Sequence, residues 1–145
     1  MISDVLIPKL RKYFSSHGLQ VGVPPDPCAL FPAIHPEVGD IVISDEGYEL
    51  TLEAGRFTHS HFSNYDQKPS EAQRAERISD DIVQFLDDLF GDRIVLWGSH
   101  DSRGGWYPRD EPRSEFWHGD RQLYVWSGPL NMCDMPTNHD PFQET

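Results

Sequence analysis

Between Ser70 and Trp97 the chain has little freedom: a capped, one-sided helix runs into a glycine and then a short apolar strand. Ser70-Glu71-Ala72-Gln73 has the spacing of a capping box, in which the Ser70 and Gln73 side chains satisfy each other's backbone amides. Pro69 discourages any earlier start. Ala75, Ile78, Ile82, Phe85, Leu86 and Leu89 then recur at helical spacing and form one apolar stripe. Glu76, Arg77, Asp80, Asp81, Asp87 and Asp88 fill the other face. Gly91 suits the left-handed position just past a helix end. Arg93-Ile94-Val95-Leu96-Trp97 is apolar on both faces, as a central strand is. The helix stripe should therefore lie across a sheet that contains this strand.

A second constraint lies upstream. Ile41-Val42-Ile43, Tyr48 to Glu53 and Phe57 to Phe62 carry the alternation and β-branched content of strands. Glu46-Gly47 and Ala54-Gly55 separate them as tight turns. Two-residue loops at both places pair Ile43 with Leu50 and Ile41 with Leu52, then Leu52 with Phe57, Leu50 with His59 and Tyr48 with His61. One face then reads Ile41, Ile43, Leu50, Leu52, Phe57, His59, His61, and a one-residue slip would destroy it. The segment is expected to be a three-stranded meander whose inner face ends in the two histidines.

These pieces predict an α+β fold in the order α-β-β-β-α-β-β. It has an antiparallel sheet of about five strands, the meander among them, with the long helix packed on one face. Val5, Leu6, Leu10, Tyr13 and Phe14 give the first helix, which Pro8 suggests begins near Ile7 so that the proline falls in its first turn. Val23 to Pro36, with its five prolines, is expected to be an irregular crossing segment. Gly98 to Asp120 is expected to be a long loop, Arg121 to Trp126 a strand, and residues 131–145 a loosely held tail. At 145 residues the chain is large enough for one core, so a single domain over 1–145 is expected.

Charge narrows the class of partner. With 24 acids against 12 bases the formal net charge is −12, which repels nucleic-acid phosphates and anionic membrane surfaces and attracts basic proteins. Glu37, Asp40, Asp45, Glu46, Glu49 and Glu53 follow one another with no Lys or Arg between them. The first residues contain Asp4 and Pro8 and form no signal peptide, and no apolar run has the length of a membrane span. A cytoplasmic location follows as an expectation. Cys28 and Cys133 are the only cysteines, so no disulfide framework is expected.

Few residue patterns point to chemistry. His59 and His61, two apart on a strand, point the same way and form a candidate metal pair for zinc or another divalent ion. A third ligand would have to come from His35, His100, Asp101 or His118. The competing reading makes the two histidines the polar end of the sheet face, bonded to Tyr48 or to backbone. Ser99-His100-Asp101 is no triad, because adjacent residues cannot adopt the nucleophile–base–orienter geometry, and no Gly-x-Ser-x-Gly elbow occurs. Cys133 with His139, or Cys28 with His35, has nothing nearby to activate a thiol. Gly104-Gly105 lies in no phosphate-loop pattern. The stretch after Trp97 carries Arg103, Trp106, Tyr107, Arg109 and Trp117, residue types that dominate protein–protein contacts. The same aromatics would serve equally as cover for the core.

Thr58-His59-Ser60-His61-Phe62, Phe85 to Phe90, Arg93 to Trp97 and Gly104-Gly105-Trp106, in this order, resemble a group of uncharacterised bacterial single-domain proteins. Small acidic proteins of this kind are similar to immunity proteins that neutralise polymorphic toxins. The resemblance covers Asp40 to Trp106 and implies no catalytic residues. The expectation is a non-enzymatic acidic binding protein, an immunity or accessory protein without cofactor. Its binding candidates are Glu49, Glu53, Arg103, Trp106, Tyr107, Arg109 and Trp117. The alternative is a metal-dependent enzyme centred on His59 and His61.

Overall fold

The computed structural model describes residues 1–64, 66, 68–98, 104–111 and 122–130. Two helices and two antiparallel sheets make up an α+β fold. Helix α1 spans Ser3–Phe14 and is followed by a 3-10 turn. Strands β1 (Gln20–Val21), β2 (Ala29–Phe31), β3 (Ile41–Asp45), β4 (Leu50–Ala54) and β5 (Thr58–Phe62) form the first sheet in sequence order. Helix α2 spans Glu71–Phe90. Strands β6 (Ile94–Trp97), β7 (Gly105–Pro108), β8 (Leu123–Val125) and β9 (Gly128–Leu130) form the second sheet, ordered β7-β6-β8-β9.

The capping box forms as its spacing requires. Ser70 Oγ accepts from the Gln73 amide at 3.2 Å, and Gln73 Oε1 accepts from the Ser70 amide at 2.9 Å. The stripe from Ala75 to Leu89 is buried along its length and meets Leu6, Leu10 and Phe14 of α1 in one core. Ala29, Phe31, Ile41, Ile43, Leu50, Leu52 and Ala54 line the sheet side of that core. Strand β6 is central, as its two apolar faces predicted. Ile94 and Leu96 enter the main core, while Val95 joins Tyr107, Leu123, Val125 and Leu130 in a second cluster. The strands after α2 thus build their own sheet and do not extend the meander.

Helix α2 ends differently from its expected glycine stop. Gly91 has φ −86°, and the left-handed residue is Asp92 at φ 59°. Arg93 N–H donates to Asp88 O at 2.8 Å and Asp92 N–H to Leu89 O at 3.1 Å, the two bonds of a Schellman cap. A Cβ on Gly91 would strike the Arg93 guanidinium, which lies over the helix end and bonds the Asp87 and Asp88 carboxylates at 2.9 and 3.0 Å. Handedness does not require glycine here, and a Cβ would only displace the exposed end of Arg93.

Both hairpin registers depart from two-residue turns. Ile43 pairs with Leu52 and Asp45 with Leu50, so residues 46–49 make a four-residue loop. A shift of two keeps Ile41, Ile43, Leu50 and Leu52 on the core side. The second hairpin pairs Leu52 with Ser60 and Ala54 with Thr58 across the three-residue loop 55–57. This shift is odd and reverses β5: His59 and His61 leave the inner face and stand opposite Glu53 and Thr51. The cause is at the turn. Gly55, at φ +58°, and Arg56 donate to Asp40 O at 3.0 Å and Val38 O at 3.2 Å. Phe57 leaves the ladder and is buried, 5.1 Å from the Tyr124 ring.

Three further expectations change. Pro8 lies inside α1, which begins at Ser3. Its first turn is held by Ser3 N–H donating to Asp45 Oδ2 at 2.8 Å. The proline-rich crossing contains β2, because Ala29 and Phe31 alternate with Leu30 and pair with β3. The segment after Trp97 contains β7, so it is not loop throughout. The expected tail at 131–145 lies outside the described residues. Among the described residues no helix is long and apolar enough to cross a membrane.

Candidate binding face

Strands β4 and β5 present two different sides. Leu50, Leu52 and Ala54 point into the core and are fully buried. The side chains between them, Thr51 and Glu53, face outward beside His61 and His59. Alternation therefore places a polar column on a scaffold whose opposite side is locked by packing.

Glu49 precedes the column and is only 8% exposed. Its Oε1 lies 3.1 Å from His61 Nδ1, and Thr51 Oγ1 lies 3.5 Å from the same nitrogen. A carboxylate facing Nδ1 favours a proton on that nitrogen. His59 sits edge-on to His61, ring centroids 5.3 Å apart. Glu53 is exposed, and a shallow hollow of about 240 Å³ is bounded by Thr51, Glu53, Gly55, Arg56, Thr58 and His59. Arg56 hydrogen-bonds the Tyr124 hydroxyl, whose pKa is raised by burial and by Glu37.

Tyr48, the partner first expected for the histidines, is 68% exposed on the β3–β4 loop and takes no part in this column. Helix α2 does not cover the histidines, because they lie on the opposite side of the sheet from it. His35 is engaged elsewhere: its Nδ1 accepts from Glu37 N–H at 3.1 Å and its ring packs against Gly128. Among the described residues no three His, Cys, Asp or Glu groups are grouped to hold a metal ion. His100, Asp101, His118 and His139 lie outside the described residues.

The aromatic and arginine candidates are divided. Trp106 donates from Nε1 to Ser60 Oγ at 3.2 Å and stands edge-on to Phe85 at 4.9 Å, bridging β7 to the meander and α2. It stays 38% exposed. Tyr107 is buried in the second cluster. Arg109 ties the second sheet to the end of α2: its N–H donates to Arg93 O at 2.8 Å and its guanidinium to Asp92 O at 3.2 Å. Tyr107 and Arg109 are therefore structural members, and Trp106 is mainly cover for the core. Arg103 and Trp117 lie outside the described residues. Of the binding candidates among the described residues, Glu49 and Glu53 are brought together with His59 and His61.

Cys28 sits in surroundings that disfavour the thiolate. Burial first, then the Asp45 charge, pushes its thiol up to about 11, and the S–H donates to Ile43 O at 3.4 Å. Cys133 lies outside the described residues.

Compared with protein-family models, with curated proteins and with solved structures, the chain matches none.

Proposed function

We propose that the chain is a non-enzymatic acidic binding protein, an immunity or accessory protein that docks a basic protein through the outer face of β4 and β5. The observation that carries this reading is the polar column itself: Glu53 and His61 stand exposed where β4 sends Leu50, Leu52 and Ala54 into the core and β5 packs Phe62 against it. Such a surface is preorganised, so binding orders little of it. The net charge of −12 steers a basic partner toward the molecule. The toxin-neutralising role rests on the resemblance over Asp40 to Trp106. The buried thiol of Cys28 speaks against thiolate catalysis at that residue.

Affinity capture from the native host tests the reading, with wild type and Glu53→Lys compared at low and high salt. Recovery of a protein of high isoelectric point by the wild type, weakened by salt and by the charge reversal, is the expected result. Failure to recover any basic protein, or capture indifferent to Glu53→Lys, overturns it.

A further inference from the structure

Away from the candidate face, the start of α1, the β3–β4 loop and the first turns of α2 enclose a groove of about 620 Å³. That volume lies within the range of sites that hold a ligand or an anchoring side chain. Its floor is apolar: Ile2, Ala75 and Ile78 are all buried, with Val5 beside them. Tyr48, 68% exposed, and Met1, 61% exposed, stand on its walls. Two large apolar side chains left in water beside one apolar groove mark a surface that gains by being covered.

The rim sets the sign of what covers it. Asp66 and Glu71 line the groove, and Glu46 is exposed in the adjoining loop. Asp66 stands 3.8 Å from Arg77, a long and exposed pair of little strength. Glu71 and Glu46 enter no ion pair among the described residues. Two cations stand in the wall, and both are engaged: Arg74 bonds Pro69 O at 3.0 Å and Asp66 O at 3.4 Å, and the Met1 ammonium pairs with Asp4 Oδ2 at 2.9 Å. The rim thus offers carboxylates around an apolar floor.

We propose that this groove is an anchor site for a basic, apolar-faced protein segment, whose large apolar side chain lies between Tyr48 and Ile78 while its lysines or arginines meet Glu71 and Glu46. The assignment rests on the reading of the chain as a binder of basic proteins and adds a second contact point, built by the start of α1, the β3–β4 loop and α2.

The probe is a short synthetic helical peptide of lysine and leucine, titrated into the isotope-labelled full chain and followed by amide chemical shifts. Two comparison peptides replace its leucines by serine or its lysines by glutamate. The expected result is shifts centred on Tyr48, Ala72, Ala75 and Ile78. Affinity should fall by about tenfold or more with either comparison peptide and with Ala72→Trp, which fills the groove from an exposed helix position. A folded Ala72→Trp spectrum keeps that variant informative, and Tyr48→Ser on the open loop gives a second one. Shifts confined to Glu49, Glu53, His59 and His61 overturn the groove assignment and leave the acidic-binder reading standing. Equal binding of the glutamate peptide overturns the charge argument and the proposal with it. No binding of the basic peptide anywhere overturns the proposal and weakens the wider reading as well.

Discussion

Asp92 adopts φ 59° without being glycine, and all four of its polar atoms are engaged. Its N–H donates to Leu89 O, its carbonyl accepts from Arg109, and its carboxylate accepts from both the amide and the hydroxyl of Ser127. Aspartate tolerates the left-handed region better than most side chains because its short carboxylate bonds locally. In the sequence Asp92 is one more acid beside Asp87 and Asp88; only the Schellman geometry and the approach of Ser127, distant in the chain, reveal its structural role. Asp92→Ala should cost about 1–3 kcal/mol, read as a shift of the urea midpoint, and Asp92→Asn clearly less. Equal losses would mean that the carboxylate is not what holds the β8–β9 turn. Cys28 gives a pH signature. Its folded thiol sits near 11 against the ordinary 9.0, so its contribution is complete below pH 9 and is lost as pH rises toward 11. The loss is at most about 2–3 kcal/mol. A Cys28→Ala variant should show a flatter fall of stability across that window, and an identical slope would contradict the burial of the thiol.

At the scale of elements, the legible parts were those whose signal is local. The box at Ser70 and Gln73, the stripe from Ala75 to Leu89 and the doubly apolar β6 each specify an element from neighbouring residues, and each forms. Pairing register is not local in that sense. Gly55 reads as a two-residue turn, yet the loop also has to deliver backbone amides to Val38 and Asp40 and bury Phe57. Those demands come from residues outside the hairpin, and they add the extra residue that reverses β5. The same reasoning explains β2, hidden among prolines because its partner β3 supplies the ladder. Phe57 tests this account. As a turn anchor against Tyr124, its change to alanine should cost about 3–5 kcal/mol and broaden the His59 and Glu53 resonances before those of α2. A loss below about 1 kcal/mol, the cost typical of an exposed loop residue, would contradict the anchoring role.

Across the whole molecule, the candidate site was half visible. His59 and His61 were singled out because two histidines two apart share one side of a strand, and that remains true. Which side they share, and that Glu49 supports His61 from beneath, depended on a register that three residues of loop decide. Trp106, Tyr107 and Arg109 looked like a binding loop because interface residue types are also the types that join sheets, and here they mostly join them. The central claim is that the fold holds its core on one side of β4 and β5 and offers a docking face on the other. Hydrogen exchange on the chain alone and with its captured basic partner tests this most directly. The account predicts added protection across residues 49–61, abolished by Glu53→Lys; protection absent there, or unchanged by that substitution, would contradict it.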